Sequence, residues 1–151
     1  MSVVLVDILK SVMSTKVETV KPKQPLKLAL NKMIRRNIGS IIVVDDDIPV
    51  GIVTERDISR KLARGLKNLN TQVMRIMTRN LIVASPDTTI QAAFGLMLQH
   101  GIRRLPVVDK GKLVGVVTER DLLHWVLQVS YEPNIPPEII KILARPLSSR
   151  P

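Results

Sequence analysis

The sequence predicts an α/β (α+β) fold: two β-α-β-β-α repeats packed about a pseudo-twofold axis. Three observations predict it. An offset of 64 residues lays the chain on itself without a gap, setting Met13 on Met77, Pro22 on Pro86, Ala29 on Ala93, Met33 on Met97 and Val43-Val44-Asp45 on Val107-Val108-Asp109. The same offset lays VGIVTERD, ending at Asp57, on VGVVTERD, ending at Asp121. Within each copy, short branched apolar runs alternate with segments of helical periodicity. A period this long, present twice, describes a pair of like units and not a solenoid.

Each element has its own justification. Residues 17–20 and 81–84 are short apolar segments stopped by Pro22 and by Ser85-Pro86, so they read as strands. Leu26, Ala29, Leu30, Met33 and Ile34 then recur at helical spacing, as do Ile90, Ala93, Phe94, Met97 and Leu98. Thr88 or Thr89 can cap the second of these helices. Asn37 and Gly101 end them, because both tolerate the left-handed backbone. Residues 41–44 and 105–108 are continuous branched runs, the pattern of strands buried on both faces. The turns Asp45-Asp46-Asp47 and Asp109-Lys110-Gly111 lead into strands 50–53 and 114–117, and Thr54 and Thr118 open the last helix of each copy. The expected division is residues 1–70 for the first repeat and its lead-in, 71–130 for the second, and a Pro-rich tail, 131–151. Residues 68–75 link the copies. Within the tail, 137–145 can form a short helix with proline in its first turn.

Composition narrows the function classes. The chain has 151 residues, no Cys, 2 His and 2% aromatics. That removes disulfides, thiolate metal sites and cysteine nucleophiles. The hydrophobic fraction of 45% suffices for a packed core built from Val, Ile, Leu and Met. No apolar run approaches the ~20 residues of a membrane span, and the apolar start carries Asp7 and Lys10 and no basic cluster, so a cytoplasmic protein without membrane contact is expected. The net charge of +10 favours anionic partners. Nothing assembles a nucleophile, a base and an orienting group, and there is no Walker-type loop, so no catalysis is expected.

The repeated Thr-x-x-Asp has two readings. It is a capping box, with Thr at the N-cap and the acid at N3. It also places a carboxylate, which can accept from both hydroxyls of a cis-diol, beside a helix N-terminus that welcomes phosphate.

The repeats resemble a tandem pair of CBS (cystathionine-β-synthase) domains, a Bateman module, over about residues 10–130. Pro22, Gly51, Thr54 and Asp57 carry the likeness in the first copy, and Pro86, Arg103, Arg104, Pro106, Gly115, Thr118 and Asp121 in the second. The resemblance implies adenosine-containing ligands held in clefts between the repeats: AMP, ADP or ATP, with S-adenosylmethionine as a further candidate, and no required cofactor. It implies that Asp57 and Asp121 take ribose and Thr54 and Thr118 take phosphate. The Thr54–Asp57 cleft is expected to borrow Thr78, Ile82, Arg103 and Arg104 from the second repeat. The Thr118–Asp121 cleft is expected to borrow Ser14, Glu18, Gly39 and Ser40 from the first. Two arginines would make the Asp57 cleft the better phosphate site. The resemblance also implies a homodimer, through a helical face including Ile58, Leu62, Leu122, Val126 and Trp125, and an unidentified regulated protein. The alternative reading is a basic nucleic-acid-binding protein, motivated by charge but without a recognised motif or aromatics to stack bases. His100, His124 and the Asp45-Asp46-Asp47 turn are read as surface features.

Overall fold

The computed structural model describes residues 7–129. The tail helix expected at 137–145 lies outside the described residues. The first repeat runs β1 (Thr19–Val20), α1 (Leu26–Arg36), β2 (Ser40–Asp45), β3 (Ile48–Thr54) and α2 (Glu55–Ala63). The second runs α3 (Ile90–His100), β4 (Arg104–Asp109), β5 (Lys112–Thr118) and α4 (Glu119–Val129). Short 3-10 turns, Leu9–Ser11 and Val73–Arg75, precede each repeat.

In the first repeat β1 pairs parallel to β2, and β2 pairs antiparallel to β3. Both hairpins share one register and one irregularity, between Val43 and Val44 and between Val107 and Val108. The expected strand at 81–84 is reduced to a single parallel bridge, Ala84 to Val107. Ser85-Pro86 follows at once, and proline cannot extend the ladder.

Local chemistry sets the helix ends as expected. Asn37 and Gly101 take the left-handed conformation at φ 52° and 62°, and Thr89 accepts from the Ala92 N–H at 3.1 Å. Helix α1 follows Pro25 and has no side-chain cap. Carbonyls of the inter-repeat linker replace one, since Leu26 N–H donates to Thr71 O at 2.8 Å and Lys27 N–H to Leu69 O at 2.9 Å.

The two hydrophobic cores exchange their lead-ins. Leu9, fully buried, packs with Val12 and Met13 in the core of the second repeat, among Ala93, Leu105, Val117 and Leu122. Val73, Ile76 and Met77 pack in the core of the first, among Leu26, Ile41, Val53 and Ile58. Hydrogen bonds fix the exchange: Ser14 and Val116 trade backbone bonds at 2.9 Å each way, and Thr78 and Ile52 do the same at 2.9 and 3.0 Å. The glycines of the repeated motif now have a reason. A Cβ on Gly51 would stand 2.5 Å from Met77 Sδ, and one on Gly115 2.8 Å from Met13 Sδ. They are bare because the exchanged methionines lie on them.

Burial corrects the expected dimer face. Ile58 and Leu122, 5% and 0% exposed, fill their own cores, and Trp125 packs against the second core and donates to Asp7. Of the apolar side chains expected on that face, Leu62 is the large hydrophobic that stands exposed.

Candidate functional site

Each Thr-x-x-Asp motif stands where a strand hands over to a helix, and both form the capping box. Thr54 N–H donates to Asp57 Oδ2 at 2.9 Å, and Asp57 N–H returns a bond to Thr54 Oγ1 at 3.1 Å. Thr118 and Asp121 repeat both bonds at the same lengths. In the first motif alone, Thr54 Oγ1 also donates to Asp57 Oδ2 at 2.9 Å. Among the described residues, no hydrogen bond reaches either Oδ1. Capping therefore occupies one oxygen of each half-buried carboxylate and leaves the other available to a diol.

Strand register decides what flanks each motif. Ser40 lies opposite Thr54 across the first hairpin, and Arg104 opposite Thr118 across the second. The helix starts are tied to the same segments, Glu55 N–H donating to Gly39 O at 3.0 Å and Glu119 N–H to Arg103 O at 2.9 Å. Arg103 and Arg104, and Gly39 and Ser40, expected to reach the motif of the other repeat, are also neighbours of their own. The register sets each pair beside the motif of its own repeat, because an antiparallel hairpin brings the start of its first strand to the end of its second. The lead-ins do reach across: Thr78 bonds to β3 two residues before Thr54, and Ser14 to β5 two residues before Thr118.

The electrostatics follow the register. Arg104 is half-buried, and that burial lowers its pKa while the nearby Asp121 carboxylate opposes the shift. A guanidinium thus stands within the field of the second motif's acid. In the first repeat the equivalent Ser40 is neutral, and the Glu55 carboxylate lies beside its neighbour Gly39. A Cβ on Gly39 would stand 3.4 Å from Glu55 Oε2, an acid inside the repeated motif that spacing alone does not single out. Glu18 is ion-paired with Arg36 of α1, Nε to Oε1 at 2.8 Å, so its charge is already answered within its own repeat. Ile82 packs, partly buried, against the second core.

A groove of about 390 Å³ is lined by Thr19, Lys21, Gln24, Lys32, Asp46 and Asp47, among others. It includes no residue of either motif. Among the described residues there is no cluster of potential metal ligands, and no helix is long and apolar enough to cross a membrane.

Comparison with known proteins fits this geometry. The CBS domain family matches residues 9–64 and 73–128, so each match includes its exchanged lead-in. The chain is 38% identical over 113 residues to the CBS domain-containing protein YhcV of Bacillus subtilis (strain 168), covering 75% of this chain and 81% of that one. A crystal structure of CBSX2 in complex with AMP matches with a TM-score of 0.71 at 28% identity, covering 81% of this chain and 97% of the other. The CBS domain pair of protein MJ0100, in complex with 5-methylthioadenosine and S-adenosyl-L-methionine, matches with a TM-score of 0.73 at 28% identity, covering 82% and 98%. With two repeats of one pattern, exchanged lead-ins and a motif repeated at each strand-to-helix junction, the chain belongs to the CBS-domain family as a tandem pair.

Proposed function

We propose that the chain is a regulatory module that binds an adenosine-containing nucleotide between its repeats and does no chemistry of its own. One observation carries the reading: each motif keeps a carboxylate oxygen free beside a helix N-terminus, and one of the two has a half-buried arginine next to it. The free oxygen suits the ribose diol. The helix start and Arg104 suit phosphate, which a guanidinium pairs in forked geometry. The AMP and S-adenosyl-L-methionine complexes of the structural neighbours support this ligand class. The cleft built on Thr118 and Asp121, with Arg103 and Arg104, is the phosphate-preferring one. Ligand tying the two repeats together shifts the population toward one arrangement, and a partner protein reads the change.

The same reading includes a twofold homodimer. Ile34 and Leu98 occupy equivalent positions in the repeats and are 76% and 80% exposed; together with Leu62 they offer apolar surface for it. A monomer mass by light scattering at micromolar concentration would remove the dimer.

Calorimetric titration with AMP, ADP, ATP, S-adenosylmethionine and adenosine tests the function. Asp121→Ala should cost about 1–3 kcal/mol of nucleotide affinity, the loss of charge-assisted hydrogen bonds. Arg104→Ala should weaken AMP more than adenosine and should be non-additive with Asp121→Ala. Coupling of Arg104 to Asp57 instead would move the phosphate to the first cleft. Unchanged affinity for every adenosyl ligand in both Asp57→Ala and Asp121→Ala would overturn the site.

A further inference from the structure

Helices α2 and α4 share a capping box and the residues Glu-Arg-Asp in their first turn, yet their outer faces differ. Along α2 and its C-cap, Arg56, Arg60 and Arg64 follow one another every four residues, and Lys67 lies just beyond; all four are exposed. The equivalent positions in the second repeat are Arg120, His124 and Gln128, and then Tyr131, which lies outside the described residues. One helix therefore carries a cationic row that its twin lacks.

Ordinary helix electrostatics does not account for the row. Cations in the last turn complement the macrodipole, which covers Arg60 and Lys61. Arg56 sits in the first turn, where the dipole disfavours it. An exposed charged helix is commonly balanced by acids one turn away. After Asp57, α2 has no acid, and among the described residues the one salt bridge is Arg36–Glu18, which does not involve α2.

We infer that the outer face of α2 is a docking surface for the phosphodiester backbone of a nucleic-acid strand, independent of the nucleotide clefts. A repeat of four residues at 1.5 Å each spaces the arginine positions about 6 Å apart along the axis, on the scale of successive phosphates in an extended strand. Arginine is the side chain whose fork fits phosphate. The 2% aromatic content gives little to stack bases on, so the surface reads charge and not sequence. An acidic protein segment would want apolar anchors beside the cations; beside the row stand Ser59, which is polar, and Ala63, which is too small to anchor, while the exposed Leu62 lies about 120–160° away around the helix at 100° per residue.

Fluorescence anisotropy of the full chain with labelled mixed-sequence 20-mers tests this, using single-stranded RNA, single-stranded DNA and duplex DNA from 50 to 200 mM salt. The wild type is expected to bind at least one of these strands with a steep salt dependence. Arg60→Gln/Arg64→Gln/Lys67→Gln should reduce the slope of log K against log salt by about 2 for single strands, about 0.7 for each phosphate that is no longer neutralised. The charge-matched variant Lys10→Gln/Lys110→Gln/Lys112→Gln, on the lead-in and second repeat, should leave the slope near wild type. Equal effects of the two variants would overturn the proposal in favour of diffuse attraction. Displacement of the strand by poly-glutamate at equal charge, or stronger retention on phosphatidylserine vesicles than on nucleic acid, would overturn it in favour of an acidic protein or a membrane surface. Saturating AMP should leave strand binding intact, and displacement of the strand by AMP would place it in the clefts and overturn the separate surface. Nucleotide titration of the same triple variant separates this result from that of the clefts, since AMP affinity should be unchanged when strand binding falls.

Discussion

The two motif regions, around Thr54–Asp57 and around Thr118–Asp121, are nearly superimposable in their local rules. Both carry the same two capping bonds at the same lengths, the same hairpin register and the same irregularity. Their charge differs across the hairpin, where Gly39-Ser40 stands in the first and Arg103-Arg104 in the second. The scaffold is therefore duplicated while the charge is not. A duplicated capping box keeps each helix start in place, so the residue facing it can change in charge without disturbing the helix. The outer faces of α2 and α4 diverge in the same way, with shared framework and unshared charge.

The comparison breaks most severely through the lead-ins, since each core depends on residues from the other repeat's approach. Leu9→Ala should cost about 2–5 kcal/mol, the usual range for emptying a fully buried leucine site. Hydrogen exchange should locate the loss in α3, β4, β5 and α4. Equal loss of protection in α1 and β2 would mean that the repeats do not have separable cores.

The glycines sharpen the contrast. Gly115→Ala should destabilise by about 1–3 kcal/mol, the scale of overpacking. It should cost more than Gly51→Ala. The atoms closest to a Cβ on Gly51 all belong to the flexible Met77 side chain, while Gly115 also meets the Ser14 backbone oxygen at 3.0 Å, which the bridge to Val116 holds in place. Met77→Ala should partly rescue Gly51→Ala in thermal melts. Met13→Ala should rescue Gly115→Ala less, because the carbonyl stays. The reverse ranking would show that the Ser14 bridge yields.

The smallest expected effect tests whether Glu18 shapes the first cleft or only holds α1. Its partner Arg36 is 62% exposed, so Glu18→Gln should change stability by about 0.2–1 kcal/mol and fade in high salt. If Glu18→Gln instead raised AMP affinity several-fold, its charge would be facing the ligand and not Arg36.

Much of this is legible in the chain. The offset of 64 residues reveals the duplicated unit, and the helices, their left-handed ends at Asn37 and Gly101 and both hairpins follow from patterns within a few residues. The strand at 81–84 is shorter than its sequence suggests, because an apolar run before Ser-Pro signals extended chain without saying how much of it will pair. Ile58 and Leu122 read as a helix surface available to a partner, since periodicity finds an apolar stripe but not which body covers it.

What the sequence determined by itself was local and periodic: where each element begins and ends, that Thr-x-x-Asp caps a helix, and that the pattern occurs twice. What only the tertiary structure decided was which parts meet. Leu9 could fill either core by its own chemistry, and nothing near it in sequence says that it closes the second. The surroundings of Arg104 were likewise open until the hairpin set it opposite Thr118 and within the field of Asp121. The reason is physical: helix caps and turns are written in contacts between neighbours along the chain, while core membership and charge proximity depend on contacts between residues as far apart as Ser14 and Val116.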